Sequence, residues 1–344
     1  MKITRYVCCC ILLLLLIGNH KNAMAQDPHF SQFHAAPFSV NPALTGNFYG
    51  SWISFLNYRN QWSGPSDPFK TVSLSLQTKL LTKRSDGGNT WGIGGMITRD
   101  ETMGGTFNST YASFNTAYHL SIDAEEQHRI GLGLGMIYVN RRVDYSRLTF
   151  PQQFASGGFD TNLPTGESGF SLIKPFVSAS AGLLYSYNSS DKQTSADFGV
   201  AVFHANKPQQ TNEKDENQVI QPRYTVYGSY SSFLSEQVAF NANALYQSQK
   251  TTSYWQIGAI AGFMLTNTEN PSIISAGAFY RSKDAIIPYV GITHRILDAN
   301  VQLGLSYDAT VSKYKYAAVK PQTFELSLVF RSAKADGSLP CPWK

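Results

Sequence analysis

The residues able to do chemistry are scattered along the chain, and their spacing decides what they can be. His119, His128, His204 and His294 have no Gly-x-Ser-x-Gly elbow beside them and no sequence feature that would bring a nucleophile and a base together. An enzyme is therefore not expected. His29, His34 and Asp27 are metal-ligand types, but the five-residue spacing of the two histidines and the nearby Pro37 do not make a helical ligand pair. Cys341 is the only cysteine beyond Cys8, Cys9 and Cys10, which leaves no internal disulfide and no Cys-x-x-Cys zinc site in the body of the chain. The glycine runs starting at Gly92 and Gly131 neither open a helix nor precede Gly-Lys-Ser/Thr, so they read as close-packed strand glycines and not as phosphate loops. No cofactor is expected. Five arginines, Arg59, Arg99, Arg141, Arg142 and Arg281, remain, and their meaning depends on the elements that carry them.

Those elements are strands. In KTVSLSLQTKL, Val72, Leu74, Leu76 and Leu80 share one face, while Ser73, Ser75, Gln77 and Lys79 share the other. RIGLGLGMIYVN, VAFNANALY, VQLGLSYD and FELSLVF show the same period of two. Read this way, the chain holds about fourteen strands, with starts uncertain by a few residues. They begin near Ser51, Phe69, Trp91, Phe107, His128, Lys174, Thr194, Arg223, Gln237, Tyr254, Ser272, Ala285, Val301 and Gln322.

Alternation alone does not separate a soluble sandwich from a membrane barrel. Loop lengths do. Connections after even strands are short and turn-like, whereas those from Val143 to Ser171, Lys207 to Pro222 and Ala309 to Pro321 follow odd strands and are long. Short periplasmic turns and longer external loops sort in this way in an outer-membrane barrel. Trp52, Tyr58, Trp62, Trp91, Tyr185, Tyr187, Tyr227, Tyr230, Trp255, Tyr289 and Tyr307 fit interfacial girdles. Because lipid offers the backbone no hydrogen-bond partner, such strands must close into a cylinder. The expected fold is all-β, a closed antiparallel transmembrane barrel.

The start of the chain reads as an export leader. Lys2 and Arg5 precede the apolar run Tyr6 to Ile17, and Ala23-Met24-Ala25 is a small-x-small cleavage pattern, so the mature chain is expected to begin at Gln26. The domain reading is a leader over 1–25, an irregular segment over 26–48, a barrel over 49–331 and a periplasmic tail over 332–344. The whole chain has 28 Lys and Arg against 23 Asp and Glu; without Lys2, Arg5 and Lys21 the balance is 25 against 23, a net of +2. That gives no electrostatic support for a nucleic-acid partner. The amide-rich and acidic TNEKDENQ reads as a solvated external loop.

QDPHFSQFHAAPFSVNPALTG, the segment behind the leader, resembles the start of the PorP/SprF family of type IX secretion and gliding-motility membrane proteins. The resemblance extends to YRNQW at Tyr58 to Trp62, SYD at Ser306 to Asp308, and the terminal Pro340-Cys341-Pro342. It implies an outer-membrane barrel in Bacteroidota that works with a secretion machine. The implied partners are periplasmic machine subunits and a secreted cargo protein with a C-terminal sorting domain, besides outer-membrane lipid and lipopolysaccharide.

A barrel of about fourteen strands lies between those filled by side chains and the open porins, so its lumen needs an occupant. Part of Gln26 to Phe48 is expected to fold against or into the periplasmic opening. Asn41 and Pro42 would form turns there, Phe30, Phe33 and Phe38 would find an apolar wall, and Asp27 and Ser31 belong to the segment's shared motif. Arg59, Arg99, Arg141, Arg142 and Arg281 lie near the outer ends of odd strands and are expected to form a cationic rim for cargo or lipid phosphates. A pore for small solutes is the alternative reading.

Overall fold

A computed structural model of the chain describes residues 27–332 and Trp343, apart from 65, 82–87, 156, 166–172, 192, 211–218, 266–271 and 317–318. The leader, the TNEKDENQ loop and Cys341 lie outside the described residues.

Fourteen antiparallel strands form one barrel. They are β1 Trp52–Ser63, β2 Phe69–Leu81, β3 Thr90–Thr102, β4 Phe107–Ser121, β5 His128–Val143, β6 Phe176–Asn188 and β7 Thr194–Phe203. They continue as β8 Arg223–Ser235, β9 Val238–Gln249, β10 Thr252–Met264, β11 Ile273–Arg281, β12 Ala285–Ile296, β13 Ala299–Tyr307 and β14 Gln322–Ser332. Each strand pairs with its sequence neighbours, and β1 pairs with β14 from Ile53↔Arg331 to Ser63↔Gln322, which closes the cylinder. Every expected strand start falls within two residues of the observed one.

The direction of the apolar face decides the class of fold. On β2, Val72, Leu74 and Leu76 are 43, 53 and 55% exposed, while Ser73, Ser75 and Gln77 are 2, 4 and 3% exposed. The apolar set therefore faces outward, where a bilayer would cover it, and the hydroxyls and amides face the lumen. Glycines on β5 serve the lumen side: a Cβ at Gly133 would overlap the Ala43 backbone, and one at Gly135 would overlap Asn115 and Ser180. Among the aromatic residues expected in girdles, Trp52, Trp62, Trp91, Tyr185, Tyr230, Trp255 and Tyr307 are exposed on the outside. Tyr227 and Tyr289 are not girdle residues. They point inward and are buried, because an apolar occupant lies against them.

Both termini of the barrel lie at one end, where the Ser51 and Trp52 amides donate to Ser332 Oγ at 2.7 and 3.2 Å. The long connections 144–175, 204–222 and 308–321 lie at the other end, which the loop rule makes the external one.

Candidate functional site

The occupant of the lumen is the N-terminal segment. Its prolines exclude a long helix, and it instead makes three 3₁₀ turns, Phe33–Ala35, Pro37–Ser39 and Pro42–Leu44. Pro37 and Pro42 each open a turn, where a missing N–H costs nothing. Asn41 caps the third turn by accepting from Ala43 N at 2.8 Å, and its amide donates to Leu183 O at 3.0 Å and Val200 O at 3.3 Å. The fully buried Asn41 thus joins the segment to β6 and β7 with none of its polar atoms wasted.

The segment does not stop at the periplasmic opening, as its sequence suggested. It runs the length of the lumen. Near the periplasmic end, Phe48 O accepts from Lys79 and Tyr49 OH donates to Asn188 Oδ1 at 3.2 Å, both near the ends of even strands. At the external end, Asp27 meets His204, just past β7, and Arg223, which opens β8. The physical reason is that wall groups take up the segment's polar atoms along the whole route. Thr225 donates to Val40 O at 2.7 Å, Gln77 Oε1 accepts from Gly46 N at 2.8 Å, and Asn57 donates to Ala35 O at 2.9 Å. Gly46 has φ +80° and lies against Gly92, where a side chain on either residue would collide.

The middle of the segment is held by apolar packing. Phe33 sits edge-on to Tyr227 and Phe279, with ring centroids at 6.4 and 5.9 Å. With Val40, Ala43 and Leu44 it forms one buried cluster with Leu184, Leu245, Ile260, Ile287 and Tyr289 of the wall. Phe30 and Phe38 line a small cavity with Met96, Tyr111, Ile137 and Phe203. Trp343 packs against the main cluster from the tail and meets Gly262 near the end of β10, so the tail's tip reaches back into the barrel and is not simply a periplasmic extension.

The external third is held by charge. Glu325 on β14 accepts from the Ser31 and Gln32 backbone amides at 2.7 and 2.9 Å. Arg59 on β1 pairs with Glu325 at 2.9 Å and with Asp308 at 3.0 Å, and Arg281 on β11 pairs with Asp308 and, at 2.7 Å, with Asp284. The Ser31 hydroxyl donates to Asp308 at 2.7 Å and accepts from Arg59 and from Arg281 at 3.1 Å. Gln32 donates to Ser306 Oγ and Glu325 O at 3.1 and 3.0 Å and accepts from Ser327 Oγ at 2.6 Å. Arg59, Ser31, Gln32 and Glu325 are at most 1% exposed, so this latch lies out of water. Burial alone would raise the Asp308 carboxyl, but the Arg59 and Arg281 guanidinia and the Ser31 hydroxyl outweigh it and hold it at about 2.

The arginine rim expected from the sequence thus divides. Arg59 and Arg281 are latch residues and offer nothing to cargo, because their side chains lie on the lumen faces of β1 and β11. Arg141 also turns inward, donating to Gln210 Oε1 at 2.6 Å and lying over the Phe176 ring. Arg142, one residue on, is exposed, and Arg99 is exposed beside Glu101 at 2.8 Å; these two keep the expected position. The metal-ligand types are separated: His29 lies against Tyr254, His34 stacks on Phe279, and Asp27 accepts from His204 Nε2 at 2.7 Å.

Sequence reasoning missed Glu325, Asp308 as a partner of Arg59, and the Asp27–His204–Arg223 contact at the mouth. Glu325 carried a usable signal. It shares a face with Thr323 and Ser327 while Phe324 and Leu326 lie opposite, so a carboxylate stands mid-strand on the lumen side.

The chain matches, over residues 22–330, the family described as type IX secretion system membrane protein PorP/SprF. No curated protein matches its sequence. In fold it is similar to the Ralstonia pickettii toluene transporter TbuX, at 10% identity and TM-score 0.50, over 87% of this chain and 93% of that one. It is also similar to the TodX deltaS2S3 mutant monoaromatic hydrocarbon channel, at 9% identity and TM-score 0.52, over 86% and 93%. At such identities the likeness concerns the barrel alone. The stretches that carried the sequence resemblance, FSQ, YRNQW and SYD, supply Ser31, Gln32, Arg59, Ser306 and Asp308 to one latch, and this chain is a member of the PorP/SprF family of type IX secretion system membrane proteins.

Proposed function

We propose that the chain is a non-enzymatic outer-membrane component of the type IX secretion and gliding machinery. It binds or anchors secreted cargo at the cell surface through its external loops and mouth, and meets machine subunits through its periplasmic turns and the periplasmic end of its N-terminal segment. The observation that carries this reading is a lumen occupied from end to end by the chain's own latched segment, in a member of a secretion family. A barrel occupied in this way works by binding and placement. Cargo with a C-terminal sorting domain would then be held outside the barrel, against surfaces such as the exposed Arg99 and Arg142.

A small-solute pore is the second reading, favoured by the two fold neighbours, which are a toluene transporter and a monoaromatic hydrocarbon channel. Steady conductance of the purified barrel in planar bilayers would support it, and silence would count against it. For the main reading the test is deletion of the gene followed by comparison of surface and culture-fluid proteomes. Loss of one secreted species marks a dedicated anchor, and general loss marks a core component. An unchanged proteome contradicts the secretion role.

A further inference from the structure

Beneath the apolar cluster that holds the middle of the N-terminal segment, the lumen keeps an unfilled vestibule. A cavity of about 780 Å³, counting the space at its mouth, opens among Phe48, Ile53, Asp197, Ser231, Asn241 and Arg331, all toward the periplasmic end. Phe33, Tyr227 and Leu44 of the cluster bound it on the inner side, so it is reached from the periplasm. Its two walls differ. On β8 and β9 it is bordered by Ser229, Ser231, Asn241 and Asn243, where Asn243 donates to Asn241 Oδ1 and Asn241 donates to Ser231 Oγ at 2.7 Å. Facing them are Ile53, Phe55 and Val329 with Phe48, one buried apolar cluster. The His34 ring borders the same space, and both its nitrogens are buried with no partner among the described residues. Amides and hydroxyls on one side and rings and aliphatic groups on the other suit an extended peptide, which brings backbone donors and acceptors together with side chains that pack.

One peptide side chain is already seated there. The indole of Trp343 borders the cavity, packs against the main cluster and lies so near Gly262 that a Cβ at that position would be 2.8 Å from the ring. It is held unlike the N-terminal segment. Ser31, Gln32, Asn41 and Gly46 are tied to the wall by hydrogen bonds, whereas the half-buried indole makes apolar contacts and no hydrogen bond among the described residues. Apolar contact is non-directional, so another aromatic side chain of similar size satisfies it. The cavity is present with the indole in place, which leaves room beside the ring for the rest of a bound segment.

We propose that this vestibule is a peptide-binding site for an extended segment bearing an aromatic side chain, held at rest by the chain's own Trp343 and taken over by a periplasmic protein segment of the same chemistry. The incoming aromatic ring replaces the indole against Gly262 and the main cluster, and the incoming backbone lies along Ser229, Ser231, Asn241 and Asn243. The N-terminal segment stays in place throughout, because its hydrogen bonds and buried charges are not shared with the tail. The inference is drawn from the barrel alone, and its test has no secretion readout, so it stands or fails separately from the secretion reading.

The test is a fluorescence-anisotropy titration of the full chain carrying Trp343→Ala, purified in detergent, with a labelled synthetic copy of the tail, ADGSLPCPWK, made with Cys341→Ser. Binding should be saturable. The unmodified chain should bind the same peptide about tenfold or more weakly, since its tethered indole competes at an effective concentration in the millimolar range. A peptide that also carries Trp343→Ala should not bind. Adding Ser229→Trp to the barrel fills the vestibule from its polar wall and should abolish binding; Asn243→Trp gives the same readout from β9, and heat-modifiable migration on gels shows which variants are folded. Absence of saturable binding to the folded Trp343→Ala barrel, equal binding of the two peptides, or binding undiminished by a folded blocking variant would overturn the proposal. Binding of an N-acetylglucosamine oligomer in place of the peptide would also overturn it and assign the cavity to glycans.

Discussion

The middle of the lumenal segment and its external third are held by different physics. From Phe33 inward the segment is fixed by rings and aliphatic groups against Tyr227, Phe279, Ile260 and Ile287, an attraction that is short-ranged and tolerant of small shifts. At Ser31 and Gln32 it is fixed by Arg59, Arg281, Asp308 and Glu325, where two cations and two anions are withdrawn from water together. Buried pairs of this kind add little stability over an apolar substitute, but losing one partner is costly because the other charge is stranded. The apolar part supplies adhesion, and the charged part supplies register: only one placement of the segment satisfies every donor and acceptor in the latch.

Substitutions can separate the two parts. The largest effect is expected from Gly133→Val, whose side chain would occupy the space of the Ala43 backbone and prevent the segment from seating at all. The variant should lose heat-modifiable migration or, if it folds, expose residues 27–48 to protease. Next comes Glu325→Ala, which leaves two buried backbone amides without an acceptor and two buried guanidinia, Arg59 and Arg281, with Asp308 as the one buried carboxylate between them. It should cost about 3–5 kcal/mol, read as an earlier urea midpoint.

The same latch predicts an acid response. Asp308 is held at about 2, below the value near 3.9 of a free aspartate, so its contribution is present in full above about pH 4. It is lost as pH falls through about 2, and thermal melts should show that loss in the wild type but not in Asp308→Asn.

Phe33→Ala removes adhesion without touching charge. It should cost about 3 kcal/mol, the lower end for a buried ring, because Phe33 also borders a cavity into which neighbours can relax. The smallest effect is expected from Arg99→Ala, below about 0.5 kcal/mol, since its pair with Glu101 is solvated. If Arg99→Ala destabilised the barrel as much as Glu325→Ala does, the distinction between latch and rim would collapse.

Much of the barrel was legible because a period of two is hard to disguise: β2 sets Val72, Leu74 and Leu76 against Ser73, Ser75 and Gln77, and β5 sets Ile130, Leu132 and Leu134 against Gly131, Gly133 and Gly135. The occupied lumen was legible only as a need, from strand number and from aromatic residues in a segment too broken for regular structure. Its full extent was hidden because polar contacts such as Thr225 to Val40 O and His119 to Thr45 O are made by residues that look like ordinary lumen lining. The arginines misled for a related reason. Height along a strand places Arg59 and Arg281 near the mouth, but face parity, which Arg59 shares with Asn57 and Arg281 shares with Ser275 further along its strand, places them inside. Where both faces are apolar, as at Ile273 and Ile274, parity itself gives no answer until the occupant is known.

Hydrogen exchange on the detergent-solubilised barrel tests most directly whether the segment is an integral part of the core. Its bonded amides, those of Ser31, Gln32, Ala43 and Gly46, should exchange as slowly as the amides of β1 and β14 and become exposed only when the barrel unfolds. Exchange of those four within seconds, while the strands stay protected, would mean that the lumen is not filled by this segment.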